Sequence, residues 1–156
     1  MTDLPNPDIV EAAPWLLAGV AQDYTMENRG EIPKLYQRFF QLAQGFEAVT
    51  DHILYGVSMD ATPDGRFRYG VGYQVDREID LPEGACFMAL VGGAYAVFAL
   101  IIAPKDLPQH FDAIFADWLP GSSFRQRDGA VFERYVSEPD PETGVMEVEI
   151  WVPVTA

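Results

Sequence analysis

Cysteine is nearly absent: Cys86 stands alone in 156 residues, so no intramolecular disulfide can form, and a lone thiol in an apolar run reads as a small core residue. Histidine is scarce as well. His52 follows Asp51 at the entrance to a strand, and His110 sits early on a helix. Neither falls in a His/Cys/carboxylate spacing that would hold a metal, so no metal site is expected. Basic residues number 10 against 24 acidic ones, a net charge of −14. A face that neutralises phosphates is therefore missing, which argues against nucleic acid as a partner. No charged start leads into an apolar signal core. The richest apolar stretch, Ala85–Ile102, is divided by Gly92-Gly93 and reads as strands rather than a membrane span. The expected compartment is the cytoplasm. Gly70-x-Gly72 lacks the third glycine and the following helix of a dinucleotide loop, and no hydroxyl near either histidine completes a nucleophilic signature. No cofactor and no catalytic residue are expected.

What is present is core material. Apolar residues make up 49% and aromatics 13%, enough for one ordinary domain. Residues 1–8 read as a proline-containing tail and 9–156 as the domain. Ile9–Thr25 reads as a first strand bent at Pro14, mainly Trp15–Tyr24. Ile32, Leu35, Tyr36, Phe39, Leu42, Ala43 and Phe46 recur at three- and four-residue spacing, which predicts a helix. Pro33 must lie in its first turn, placing the start near Gly30–Ile32, whereas the capping-box pair Asn28 and Glu31 would start it slightly early. His52–Met59 and Phe67–Asp76 read as a hairpin across the turn residues Asp60–Gly65. Asp76–Glu83 is a charged connection. Strands at Gly84–Val91 and Ala94–Ile102 follow, then a second helix carrying Leu107, Phe111, Ile114, Phe115 and Trp118 and stopped at Pro120-Gly121. Two further strands, Ala130–Val136 and Val145–Val154, flank the turn Glu138–Gly144.

The two helices rhyme. Ile32-Pro33-x-x-Tyr36-x-x-Phe39-Phe40 is answered by Leu107-Pro108-x-x-Phe111-x-x-Ile114-Phe115, 75 residues later. Pseudo-repeats over about 9–78 and 84–156 are expected, each a strand-helix-strand-strand unit too small to stand alone. The same offset lands Gln74 on Glu149 and Asp76 on Trp151. The fold expected is α+β: the duplicated modules form one antiparallel sheet with two helices on one face. The opposite faces are then free to line a ligand cleft between the halves.

The last strand suggests what such a cleft holds. Val148, Ile150 and Val152 share its apolar face, while Glu147, Glu149 and Trp151 point the other way. A carboxylate beside an indole suits an organic cation, which takes the charge and lies on the ring. An unpaired buried carboxylate is costly, so Glu149 either pairs with Arg125, Arg127 or Arg134 or receives a cationic ligand. Gly70 and Gly72 on one strand face leave a smooth floor where something can approach the backbone.

Taken in order, Tyr55-Gly56-Val57, Tyr69-Gly70-Val71-Gly72-Tyr73-Gln74-Val75 and Gly92-Gly93-Ala94-Tyr95-Ala96-Val97-Phe98 form a recognisable series. Asp117-Trp118-Leu119-Pro120, Phe132-Glu133-Arg134-Tyr135 and Glu149-Ile150-Trp151-Val152-Pro153-Val154 extend it. With these stretches the chain resembles the GyrI-like effector-binding domains, found on AraC-type and MerR-type multidrug regulators and also alone. The resemblance implies duplicated modules with a ligand cleft between them and a cleft glutamate among aromatic rings near the end of the domain. Glu149 matches that glutamate, with Trp151 and Tyr55 as rings and Gln74, Gly70 and Gly72 beside them. Val91 and Gln74 stand where relatives often carry a proline and an acidic residue. The function implied is binding of lipophilic, cationic aromatic compounds. Two alternatives accompany it: a hydrolase using Glu149 with Tyr55 or Glu133 with Tyr135, and a protein-interaction role like the gyrase inhibition that named the family.

Overall fold

The computed structural model describes residues 4–156. Its strands are β1 (Asp8–Ala12), β2 (Trp15–Tyr24), β3 (Leu54–Met59), β4 (Phe67–Val75), β5 (Cys86–Leu90), β6 (Gly93–Ile102), β7 (Arg125–Gln126), β8 (Val131–Tyr135) and β9 (Met146–Thr155). Helix α1 spans Ile32–Ala43. Helix α2 spans Leu107–Ala113 and runs on through a π-helical stretch, Ile114–Trp118, to a last turn at Leu119–Gly121. Both helices carry proline in the first turn, where its missing N–H has no partner to lose. Asn28 does not cap α1. Its Oδ1 accepts from the Thr25 backbone N–H at 2.7 Å, tying the preceding turn instead. The two signals for the helix start are thereby resolved: Asn28 holds a local turn, and α1 starts at Ile32, where Pro33 in the first turn placed it.

The strands form one antiparallel sheet in the order β1-β6-β9-β8-β3-β4-β2-β5, with β7 paired to β9. The units β2-α1-β3-β4 and β6-α2-β8-β9 meet along the β3–β8 seam, where Gly56 faces Glu133 and Tyr55 faces Arg134. The long segment read as one bent strand is two. β1 leaves the first half to pair with β6, while β5 crosses in the other direction to pair with β2. Each half thus borrows an edge strand from the other, through links of only two residues, 13–14 and 91–92. The tail is shorter than expected, because Asp8 already belongs to β1 and Leu4 packs on the core beneath α2; residues 1–3 of the expected tail lie outside the described residues.

Those short links curl the sheet. Trp15 on β2 and Tyr95 on β6 are five strands apart in the ladder, yet their rings lie 5.9 Å apart. Inside the curl, Leu17, Tyr55, Val57, Met88, Leu90, Tyr95, Val97 and Phe132 form one core. On the outer face α1 covers Val20, Tyr69 and Val71 through Leu35 and Phe39, and α2 covers Phe98, Val148, Ile150 and Val152 through Leu107 and Ile114. Phe39, Phe98 and Phe132 have no exposed surface, and truncating any of them to alanine is worth about 3–5 kcal/mol.

The ladder also fixes which residues correspond in the two halves. Gly72 faces Tyr55 as Trp151 faces Phe132, and Gly70 faces Val57 as Glu149 faces Arg134. The partners of Glu149 and Trp151 in the other half are therefore Gly70 and Gly72, not Gln74 and Asp76. The 75-residue offset holds for the helices but not for the strands, because the connections differ in length.

Candidate functional site

The sequence-predicted site residues sit together on the inner face of the curl, and that face is packed. Met88 from β5 lies over Gly70 and Gly72, filling the space their side chains would take. Close approach to these glycines is real, and the approaching group is the protein's own methionine. Gln74 lies on the same face, opposite Leu17 of β2. Tyr55 is 2% exposed, against Phe132 at 5.6 Å between ring centres. Trp151 stacks on Phe132 at 5.4 Å and meets Trp15 edge-on.

Glu149 already has a cation. Arg134 donates from Nη1 to Glu149 Oε1 at 2.7 Å, and Trp151 donates to the same oxygen from Nε1 at 3.0 Å. The Arg134 guanidinium also lies over the rings of Tyr55 and Trp151, 5.4 and 5.7 Å from their centres. The carboxylate-and-ring box thus exists with the geometry a flat cation needs, and Arg134 fills it. Of the three arginines weighed as partners, Arg134 is the one that pairs.

The buried acid without a cation among the described residues is Glu133, one residue before Arg134 on the opposite face. Alternation along β8 puts Phe132 and Arg134 inside, and Val131, Glu133 and Tyr135 outside under the helices. Glu133 is 5% exposed, and none of the ion pairs among the described residues includes it. Its Oε1 accepts from the Tyr69 hydroxyl at 2.5 Å and from the Tyr135 hydroxyl at 3.3 Å. Tyr36 of α1 bonds the Tyr69 hydroxyl at 2.6 Å, so a chain of phenols runs from the helix to the acid. Gly56 makes room for this cluster, since a side chain there would run into the Tyr69 hydroxyl and the Glu133 carboxyl. Burial pushes the Glu133 carboxyl up to about 7, with the two phenol bonds and its own backbone N–H pulling the other way. Burial also raises Tyr36, Tyr69 and Tyr135, and the Glu133 charge adds to it, so all three remain protonated donors.

A groove of about 900 Å³ opens further along the β3–β8 seam, and no member of this cluster lines it. Phe111 and Phe115 of α2 line it together with Met59, Ala89 and Val91, and the charged groups in its lining are Asp60, Asp128 and Arg127. Ser58 and Val131, which face each other across the seam, line its floor. Gly56 and Glu133 are the next pair on the same face, about 7 Å further along the strands. Phe115 belongs to the π-helical stretch of α2, a distortion that recurs at functional sites.

The sequence named Glu133 only beside Tyr135, under the hydrolase reading, and the structure does bond those two. The other pairing of that reading, Glu149 with Tyr55, has Arg134 between its members. The overlooked signal was a lone acid between Val131 and Tyr135 on the face of β8 that turns to the helices. Among the described residues no group of three or more His, Cys, Asp or Glu gathers to hold a metal, and no helix is long and apolar enough to cross a membrane.

Comparison with known proteins agrees with this architecture. A DNA gyrase inhibitor of Erwinia billingiae is 27% identical over 84 residues, covering 52% of this chain and 54% of that protein. The transcriptional regulator BrlR of Pseudomonas aeruginosa is 25% identical over 141 residues, 86% of this chain and 51% of the regulator. The alignments thus span about half the length of each relative. Among solved structures, SAV2435 bound to tetraphenylphosphonium superposes with a TM-score of 0.76 at 20% identity, over 97% of this chain and 95% of the other. The family model described as the GyrI-like small molecule binding domain matches residues 5–155, nearly the full length, and the chain belongs to that family.

Proposed function

We propose that this domain binds lipophilic aromatic compounds, cations foremost, in the groove at the seam of its two halves, with Glu133 as the counter-charge. The observation that carries the reading is a buried carboxyl with no internal cation, bonded by two phenols with a third behind one of them, about 7 Å along the strands from a groove lined by Phe111 and Phe115. A cation reaching Glu133 supplies the missing charge, and the rings supply π-faces for its aromatic groups. The net charge of −14 concentrates cations around the protein before they bind. That SAV2435 was captured with tetraphenylphosphonium supports the same ligand class for this chain. The inner-face box built on Glu149 competes for the role less well, because a ligand there must first displace Arg134.

Calorimetric titration with tetraphenylphosphonium tests the reading. Glu133→Gln keeps the shape of the cluster and removes its charge, so affinity should fall about tenfold to a hundredfold, the worth of one charge-assisted contact. Glu149→Gln should leave it within about twofold. The reverse pattern would move the site to the inner face.

A further inference from the structure

We propose that Glu133 serves two ligand classes with one carboxyl group: it exchanges its proton for a lipophilic cation, and keeps that proton to donate to the carbonyl-type oxygen of a neutral aromatic compound. The inference rests on the reading of Glu133 as the ligand-facing acid and adds the neutral class and the proton exchange to it.

The geometry of the cluster leads there. Both phenol bonds end on Oε1, from Tyr69 of β4 and Tyr135 of β8, while no side-chain donor reaches Oε2 among the described residues. A carboxyl held at one oxygen by two donors carries its proton on the other. A ligand at Oε2 therefore meets either an O–H donor or, once the proton has left, a full negative charge. Besides the two phenols only the acid's own backbone N–H favours its charge, and no side-chain cation does. From α1 it is faced, through Tyr69, by the Tyr36 phenol; β3 contributes Gly56, which has no side chain; β4 and β8 contribute the two phenols. On α2, His110 holds the Asp106 carbonyl through Nδ1, and Asp112 and Asp117 are exposed. The arginine nearest in sequence, Arg134, points to the opposite face and is engaged by Glu149. Burial without a partner favours the neutral acid in the empty protein, with a titration centred at about 7. The exchange balances simply: the acid and a cation give the carboxylate–cation pair and one proton released to buffer. With a neutral acceptor no proton moves.

Two probes of similar shape separate the modes, tetraphenylphosphonium and the neutral triphenylphosphine oxide, whose phosphoryl oxygen is an acceptor. Titration of the wild-type chain in buffers of different ionisation enthalpy counts protons. Close to one proton should leave per phosphonium bound at pH 6, about half at pH 7 and almost none at pH 8.5. Phosphonium affinity should rise about tenfold per pH unit up to about 7 and then level. Affinity for the oxide should run the other way, constant below 7 and falling above it. In Glu133→Gln, whose amide donates at every pH, the phosphonium should bind weakly and the oxide well, both without pH dependence. Absence of proton release at pH 6, or an oxide that fails to bind at pH 6 or binds equally from pH 6 to 8.5, overturns the proposal while leaving a permanently ionised Glu133 as the cation site. If Glu133→Gln changes the affinity of neither probe, the assignment of the site itself falls. The proton count on wild-type protein decides the matter even if the variant folds poorly.

Discussion

Replacing Glu133 by glutamine should make the protein more stable, and more so as pH rises. The carboxyl titrates near 7 in the folded protein against an ordinary value of 4.5. A raised folded value means that the native state holds the proton more tightly than the unfolded chain. The contribution of the neutral acid is fully present below about 4.5 and is lost as pH climbs through 7. The shift of about 2.5 units at about 1.4 kcal/mol per unit sets the loss at about 3 kcal/mol above pH 8. Glutamine keeps an oxygen for Tyr69 and Tyr135 and never ionises, so it escapes that loss. The gap between variant and wild type should open between pH 4.5 and 7 and stay constant above. For a chain of this size about 3 kcal/mol corresponds to about 6–12 °C in Tm. Thermal unfolding followed by circular dichroism from pH 4.5 to 8.5 reads it directly. The growth of the gap with pH is the informative quantity, because any constant offset belongs to the amide's own fit. A gap unchanged across that range would mean the acid is solvated or ion-paired in the native state, and the account of the site would fail with it.

Glu149→Gln should be mildly destabilising, by about 1–2 kcal/mol in urea unfolding, because it leaves the Arg134 guanidinium without its partner while about a fifth of that side chain still reaches water. An unchanged or raised midpoint would dissolve the ion pair as a structural element. Gly56→Ala should cost about 1–3 kcal/mol, since the added methyl must push apart the Tyr69 hydroxyl and the Glu133 carboxyl; a wild-type midpoint would show that the cluster lies elsewhere. Duplex DNA should not be retarded by this chain in a mobility-shift assay at moderate salt, because residues 5–155 are taken up by the small-molecule binding domain and the net charge is −14. Specific retardation would require a basic face that the chain does not show.

By itself the sequence determined the elements that depend on local pattern. The three- and four-residue spacing of Leu35 and Phe39, and of Leu107, Phe111 and Ile114, fixed two helices, because burying one stripe is the only use for such spacing. Proline at the second position of both fixed where they start. Alternation fixed the two faces of β4 and β9, and the rhyme between the helices gave the duplication. What it left undecided depends on partners far apart along the chain. Nothing in residues 9–25 says that β1 pairs with β6 and β2 with β4 and β5, because strand pairing is a long-range choice. That exchange curls the sheet, and the curl turns the face of Gly70, Gly72 and Trp151 from a groove into a packed core under Met88. Glu149 and Glu133 look alike in sequence, each an acid in a strand beside an aromatic. Only the β8–β9 register, which sets Arg134 opposite Glu149, decides that one acid is already neutralised and the other is left among phenols.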